Sequence, residues 1–104
     1  DEELLKKAIA VVEKHMDDVE FSTDDFAREM YMSRSNLHIK MKALTGESTN
    51  EFIRKIRFSR ACKLLKEGRY SVSEISTMVG FNTPSYFATS FKKYFGCLPS
   101  EYGK

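Results

Sequence analysis

The chain has 104 residues, 41% of them hydrophobic and 31% charged, which suits one folded domain, or two very small ones sharing a core, and excludes a disordered tail. No window approaches the ~18 uncharged apolar residues of a membrane span, and the charged N-terminal stretch is unlike a signal peptide. The net charge of +2 divides into −6 over residues 1–32 and +8 over residues 33–104, and such a basic body favours a polyanionic partner.

Apolar spacing predicts three helices in the first half of the chain. The first helix carries a stripe made of Leu5, Ile9, Val12 and Met16. Ser22 and the acids after it are typical of the start of a short second helix. Ser33 caps a third helix that Gly46 ends, and its inward side chains are predicted to be Leu37, Met41 and Leu44.

The second half predicts four more helices. A long linker helix covers about residues 49–67, with apolar positions at Phe52, Ile53, Ile56, Ala61, Leu64 and Leu65. Ser73 is predicted to open a fifth helix, and Thr83 to cap a sixth that has Pro84 at its first position. The sixth helix should direct Phe87, Phe91 and Tyr94 inward, and Pro99 begins a last short helix. The predicted fold class is all-α, with about seven helices.

An internal repeat determines the interpretation of these helices. Residues 26–32 match residues 75–81 at an offset of 49, and residues 35–52 match residues 85–102 at an offset of 50. Each copy is a short helix, a tight turn and a longer helix that ends at glycine. That order is the plan of a helix-turn-helix. We therefore predict one such unit over about residues 22–46 and a second over about residues 73–96, joined by the linker helix within one domain of residues 1–104.

The second helix of such a unit enters the major groove of DNA with the face opposite its buried side chains. This geometry makes seven side chains candidates for reading bases: Ser35, Asn36, His38, Ile39, Ser85, Tyr86 and Thr89. Six others are candidates for contacting phosphates: Arg34, Lys42, Arg57, Thr83, Lys92 and Lys93. The alternatives are that His38 is an ordinary surface histidine, that Asn36 only caps its helix, and that the basic residues of the linker form a solvated face.

The linker helix would span roughly 28 Å at 1.5 Å per residue. Half-sites one turn of DNA apart lie roughly 34 Å from one another. A helical rod of that length could set two recognition helices into successive major grooves.

The sequence resembles a known family over nearly its whole length, from about Leu4 to Tyr102. The segments SRSNLHIKMKALTG, IRKIRFSRACKLL and VGFNTPSYFATSFKKYFGCLPSEY are similar to the DNA-binding domain of AraC/XylS-type transcription regulators. The sequence of the first segment is most similar to that of the C-terminal output domain of hybrid two-component sensor-regulators. The resemblance implies a transcription activator, with sensor and receiver modules preceding this domain in the same protein and RNA polymerase as a partner. A chain that begins at Asp1 without methionine fits an excised fragment of that kind.

Two equivalent positions depart from the family. The family often has arginine or another long polar residue where this chain has Ile39, and again where it has Thr89. Isoleucine cannot donate a hydrogen bond and can only pack, for instance on a thymine methyl group. Base reading in the first unit is therefore expected mainly from Ser35, Asn36 and His38.

Other classes of function are not supported by the sequence. No paired carboxylates, no nucleophile with a base and no phosphate-binding loop are present, so no enzyme, catalytic residue or cofactor is predicted. Two histidines and two distant cysteines complete no metal set and favour a reduced, cytoplasmic setting without contact between this fragment and a membrane. Cys62 is expected to be a small buried side chain. The rings of Phe81, Phe87, Phe91, Tyr94 and Phe95 are expected to be core rather than a base-stacking platform, whereas Tyr86 lies on the flank of its helix. The alternative function is a helical protein-interaction module that docks a receiver domain or polymerase.

Overall fold

The computed structural model describes residues 2–102, and all regular secondary structure within that range is helical. The helices are α1 (Glu2–Lys14), α2 (Thr23–Glu29), α3 (Arg34–Thr45), α4 (Thr49–Glu67), α5 (Val72–Met78), α6 (Pro84–Phe95) and α7 (Pro99–Tyr102). The predicted all-α fold of about seven helices is confirmed.

Polar side chains fix the start of the short helices α2 and α5. Ser22 and Ser71 each form a capping box with the carboxylate three residues later, Asp25 and Glu74. In both boxes the backbone N–H of the serine donates to the carboxylate and lowers the pKa of that carboxyl below its usual value. These boxes satisfy backbone donors that a helix of only seven residues cannot pair internally.

The start of α5 differs from the prediction that Ser73 opens it. The helix begins at Val72 and its N-cap is Ser71, whose Oγ accepts the Glu74 N–H at 3.1 Å between the heavy atoms. Ser73 lies inside the helix, where its carbonyl accepts the Ser76 hydroxyl at 2.8 Å. The earlier serine is the cap because it has a glutamate three residues further on, which completes the box.

The structure divides into two compact units, the first of which comprises residues 2–15 and 20–56. Its core takes side chains from α1, α2, α3, the first part of α4 and the residues that flank α2: Ala8, Val11, Val12, Phe21, Phe26, Ala27, Met30, Leu37, Met41, Phe52 and Ile53. The Phe26 ring lies 6.1 Å, centroid to centroid, from the rings of both Phe21 and Phe52. This aromatic stack connects α2 to the start of α4.

The buried face of α1 differs from the predicted stripe. Ala8, Val11 and Val12 are buried, whereas Ile9 is exposed and Leu5 is only half-buried. The predicted stripe was built from large apolar residues and therefore left out Ala8. Its small side chain allows α1 to approach the core closely. Met16 lies beyond the end of α1 and packs against the core of the second unit.

The second unit comprises residues 16–19 and 57–102. Its core consists of Phe58, Ala61, Leu64, Ile75, Val79, Phe81, Phe87 and Phe91. Phe58 is fully buried, with its ring centroid 5.6 Å from that of Phe81 and 5.9 Å from that of Phe91. The sequence interpretation missed Phe58, because the early residues of α4 pack in one core and the later residues in another, so no single stripe describes the helix.

Three side chains that were predicted to belong to the cores lie at their edges. Tyr94 is 50% exposed, although its ring centroid is 5.0 Å from that of Phe58. Leu44 on α3 is half-buried. Phe95, also expected in the core, contacts Phe91 with 4.5 Å between ring centroids and is still partly exposed. Both residues on α6 follow Phe91 near the end of the helix, where the core no longer covers them.

The turn between α2 and α3 and the turn between α5 and α6 each contain one residue in the left-handed conformation. That residue is Tyr31 in the first unit, with φ of 58°, and Gly80 in the second, with φ of 81°. The two positions are equivalent in the repeat, 49 residues apart. The same backbone bend therefore forms in both units, once with glycine and once with a tyrosine that bears the strain of this conformation.

Candidate nucleic-acid interface

Helix α3 separates its side chains into a buried face and an exposed face. Leu37 and Met41 are fully buried, which fixes the rotation of the helix on its unit. The predicted base-reading residues of this helix are all exposed, namely Ser35, Asn36, His38 and Ile39, and so is Lys42. Five candidate side chains thus share one surface of the first unit, on a helix whose orientation the core determines.

The first turn of α3 is held by local polar contacts. The Ser33 hydroxyl accepts the backbone N–H of Asn36 at 3.1 Å, so the cap is Ser33 and the Asn36 side chain is not used as one. Arg34 is exposed and its guanidinium donates to Asp24 at 3.3 Å. An exposed ion pair of this kind is weak, so a phosphate could compete for the arginine.

A groove of about 590 Å³ opens beside this surface within the first unit. Its walls come from the starts of α2, α3 and α4: Thr23, Arg34, Ser35, His38, Ile39, Ser48, Thr49 and Asn50. The sequence candidates did not include Thr23, nor the three residues around the start of α4, which are Ser48, Thr49 and Asn50. A signal for them was present, since Ser48 and Glu51 have the spacing of a capping box, and the Ser48 Oγ accepts the Glu51 N–H at 3.2 Å.

Helix α6 repeats the arrangement in the second unit. Phe87 and Phe91 are fully buried, whereas the predicted contact residues of this helix are exposed: Ser85, Tyr86, Thr89, Lys92 and Lys93. Tyr86 is 55% exposed and its ring lies 5.7 Å from the Phe81 ring, so the core supports one side of it. The Thr83 hydroxyl accepts the Tyr86 N–H at 3.1 Å and caps the helix; Thr83 is exposed, and its hydroxyl still has its own O–H to donate.

Arg57 does not belong with the phosphate candidates, and that prediction is wrong. Its side chain is buried within the second unit, where Nη1 donates to the Gly80 carbonyl at 2.6 Å and Nη2 to the Asp18 carbonyl at 2.9 Å. Burial lowers the pKa of its guanidinium, and the charge of Asp18 opposes that shift. Arg57 therefore fixes the segment before α2 and the turn after α5 to α4, and it has no freedom to reach DNA.

Other residues singled out in the sequence have structural surroundings. Cys62 and Cys97 are half-buried free cysteines that pack against the core of the second unit with Tyr102. A hydrogen bond with Cys62 raises the pKa of the Tyr102 hydroxyl.

Within residues 2–102 no three histidine, cysteine or acidic side chains form a group that could hold a metal ion. In the same part of the chain no helix has the length and hydrophobicity needed to cross a membrane.

Comparison with protein families places residues 26–104 in a helix-turn-helix domain family. Among curated proteins, the chain is 44% identical to Histidine kinase P4 of Formosa agariphila over 98% of its own length, which is only 7% of that protein. It is 32% identical to the transcriptional activator RhaR of Mannheimia succiniciproducens over 80% of its length and 30% of that protein. The chain thus spans a small part of these relatives.

Solved structures show the same fold over nearly the whole chain. The C-terminal domain of the two-component response regulator YesN from Fusobacterium nucleatum has a TM-score of 0.85 at 28% identity, covering 96% of this chain and 98% of that one. An AraC-type regulator from Chromobacterium violaceum has a TM-score of 0.87 at 25% identity, covering 98% and 90%. The DNA-binding domain of AdpA, solved in complex with a target DNA, has a TM-score of 0.85 at 27% identity, covering 95% and 88%.

These relatives confirm the resemblance found in the sequence, including its similarity to output domains of two-component regulators. The chain belongs to the helix-turn-helix domain family of AraC-type transcription regulators.

Proposed function

We propose that this domain binds double-stranded DNA sequence-specifically and thereby activates transcription, with α3 and α6 as its recognition helices in successive major grooves. The observation that carries the proposal is that both helices have one buried face and one exposed face. Leu37 and Phe87, equivalent in the repeat, are both fully buried, and each helix exposes short polar side chains on its other face. A helix held in this way can enter a groove without exposing its core.

The roles of the side chains follow from their chemistry. Hydrogen-bonding groups near the helix starts suit base edges, and these are Ser35, Asn36 and His38 on α3 with Ser85, Tyr86 and Thr89 on α6. Positive side chains suit phosphates, and these are Arg34, Lys42, Lys92 and Lys93, to which the Thr83 hydroxyl adds a neutral contact. All of these residues are exposed.

The wider setting of the domain is also part of the proposal. The similarity to a response-regulator output domain and to a small part of a histidine kinase supports sensor and receiver modules in the same protein. The similarity to proteins named as transcriptional activators supports activation. A contact with RNA polymerase in the cytoplasm is part of the same proposal. The domain itself would have no enzymatic activity, because its role is to deliver the signal of those modules to a promoter.

The test is a binding titration on a duplex selected from a random pool and on a scrambled duplex, each at two salt concentrations. We expect Asn36→Ala and His38→Ala to weaken binding of the selected duplex by about 1–3 kcal/mol and to affect the scrambled duplex much less. We expect Lys92→Ala to weaken binding of both duplexes alike and to reduce the slope of log affinity against log salt by about one.

Ile9→Ala is the matched control, because Ile9 is exposed on α1 and belongs to no proposed contact. Equal losses on both duplexes for Asn36→Ala and His38→Ala would show that these residues do not read bases.

A protein-docking module is the second candidate, and Tyr31 is the observation that favours it. Its side chain is 87% exposed in the strained turn, and the Lys7 ammonium lies 4.6 Å from its ring centroid. A large exposed aromatic residue is typical of protein interfaces. The test measures binding of the domain to a receiver domain or to polymerase. Binding that persists at high salt and is lost in Tyr31→Ala, in a domain with no affinity for any duplex, would favour this second function over the first.

A further inference from the structure

The exposed face of α3 contains one aliphatic side chain whose position the fold does not require. Ile39 is 65% exposed, whereas Leu37 and Met41 on the same helix are fully buried. Isoleucine is also a weaker helix former than alanine, lysine or glutamine, so its presence there does not serve helix stability. An exposed isoleucine with no part in the core is available for contact with a ligand.

The side chains around Ile39 each carry a hydrogen-bonding group. Ile39 lies in the wall of the groove described above, and the other described residues lining that groove all have polar or charged side chains. Along α3 it is one turn from Ser35 on one side and from Lys42 on the other, both exposed. A base pair that met this surface would find hydrogen-bonding groups around a single aliphatic group.

The major groove of DNA displays one matching group. Thymine carries a C5-methyl there, and none of the other three bases carries a methyl group. An aliphatic side chain that covers this methyl removes apolar surface of both partners from water. The equivalent residue of the second unit, Thr89, is also exposed and β-branched, but its hydroxyl allows it to contact any base.

We propose that Ile39 makes the first unit specific for a thymine by packing on its C5-methyl group. This inference rests on the proposed DNA binding and adds the identity of one base and the group that is read. Specificity at this position is then a matter of shape and desolvation, with no hydrogen bond from the side chain.

The experiment uses deoxyuridine, which differs from thymidine only by the missing methyl. Each thymine of the selected duplex is replaced in turn by deoxyuridine, and the affinity of the wild-type domain is measured. We expect one position to weaken binding by about fourfold, roughly the effect of burying one methyl group. Ile39→Ala should weaken binding of the thymine duplex by a similar or larger factor and should lose most of the discrimination between the two duplexes, because alanine keeps only one methyl group.

Thr89→Ala is the matched control, because it occupies the equivalent position in the other unit. It should retain the full fourfold discrimination between thymine and deoxyuridine at the position that Ile39 reads. Ile39→Val should retain most of it, because valine keeps the branched methyl groups. Ile39→Ala is expected to fold normally, since the side chain is exposed, and a thermal melt checks this.

The two proposals fail in different ways. Equal affinity of the wild-type domain for selected and scrambled duplexes would overturn the DNA-reading function itself. Selective binding in which no deoxyuridine position has an effect, or in which Ile39→Ala keeps the discrimination, would overturn only the role of Ile39. In that case the specificity of the first unit would come from its polar side chains or from DNA shape.

Discussion

Arg57 and Gly80 depend on each other within the second unit. The Arg57 guanidinium donates to the Gly80 carbonyl at 2.6 Å, and a Cβ at position 80 would lie 2.4 Å from Nη1 of that arginine and 2.6 Å from the Met16 carbonyl oxygen. The left-handed turn at Gly80 thus has two requirements, a positive φ and space for the arginine. The sequence alone showed a basic residue on a helix, and only the three-dimensional contacts show that its charge is used internally.

The first prediction concerns Arg57. Arg57→Ala leaves the Gly80 and Asp18 carbonyls without this donor, so we expect the free energy of unfolding to fall by about 2–4 kcal/mol in chemical denaturation. Arg60→Ala, on the exposed side of the same helix, is the control and should change it by less than about 0.5 kcal/mol. At a temperature where Arg57→Ala remains folded, its salt slope for DNA should equal that of the wild type. A slope reduced by about one would restore Arg57 as a phosphate contact.

The second prediction compares the two turns of the repeat. Gly80→Ala should destabilise the domain by more than about 2 kcal/mol, because left-handed strain is combined with a clash against Arg57 and the Met16 backbone. Tyr31→Gly should change stability by less than about 1 kcal/mol, since it relieves the strain of the turn and loses only the Lys7 contact. Thermal melts of both variants measure this. A Gly80→Ala variant as stable as the wild type would mean that the turn can relax without cost.

At the level of the helices, the repeat made most of the fold predictable. The N-caps at Ser22, Ser33 and Thr83 and the glycine ends at Gly46 and Gly96 are local signals, and the structure confirms each of them. The sequence could not show which side of α1 is buried, because alanine gives no apolar signal. It also could not show the burial of Phe58, since that depends on which core each part of α4 joins.

The third prediction tests the rotation of the two recognition helices. Leu37 and Phe87 are fully buried at equivalent positions, so Leu37→Ala and Phe87→Ala should each reduce the free energy of unfolding by about 2–5 kcal/mol. The controls are Ile39→Ala and Thr89→Ala, which lie two residues further along the same helices on the exposed face. They should change stability by less than about 0.5 kcal/mol. Wild-type stability in either buried variant would place that side chain at the surface and reverse the faces assigned to its helix.

For the molecule as a whole, the sequence predicts the site less completely than it predicts the fold. Exposure of the α3 and α6 candidates followed directly from helical periodicity around the predicted core. The groove beside α3 did not, because its walls come from the starts of three helices that only the folded unit brings together. The positive charge of residues 33–104 is likewise spread over side chains with different roles, as Arg57 demonstrates.

The central claim is that this domain reads DNA sequence through two basic, polar helix faces. Its most direct test is the affinity of the wild-type domain for the selected and the scrambled duplex across a salt series. With Arg34, Lys42, Lys92 and Lys93 on phosphates, we predict a slope of log affinity against log salt of about −3 to −4 on the selected duplex. We also predict a preference for the selected duplex of at least about tenfold at every salt concentration. Affinity that is independent of salt, or equal for the two duplexes, would contradict the account.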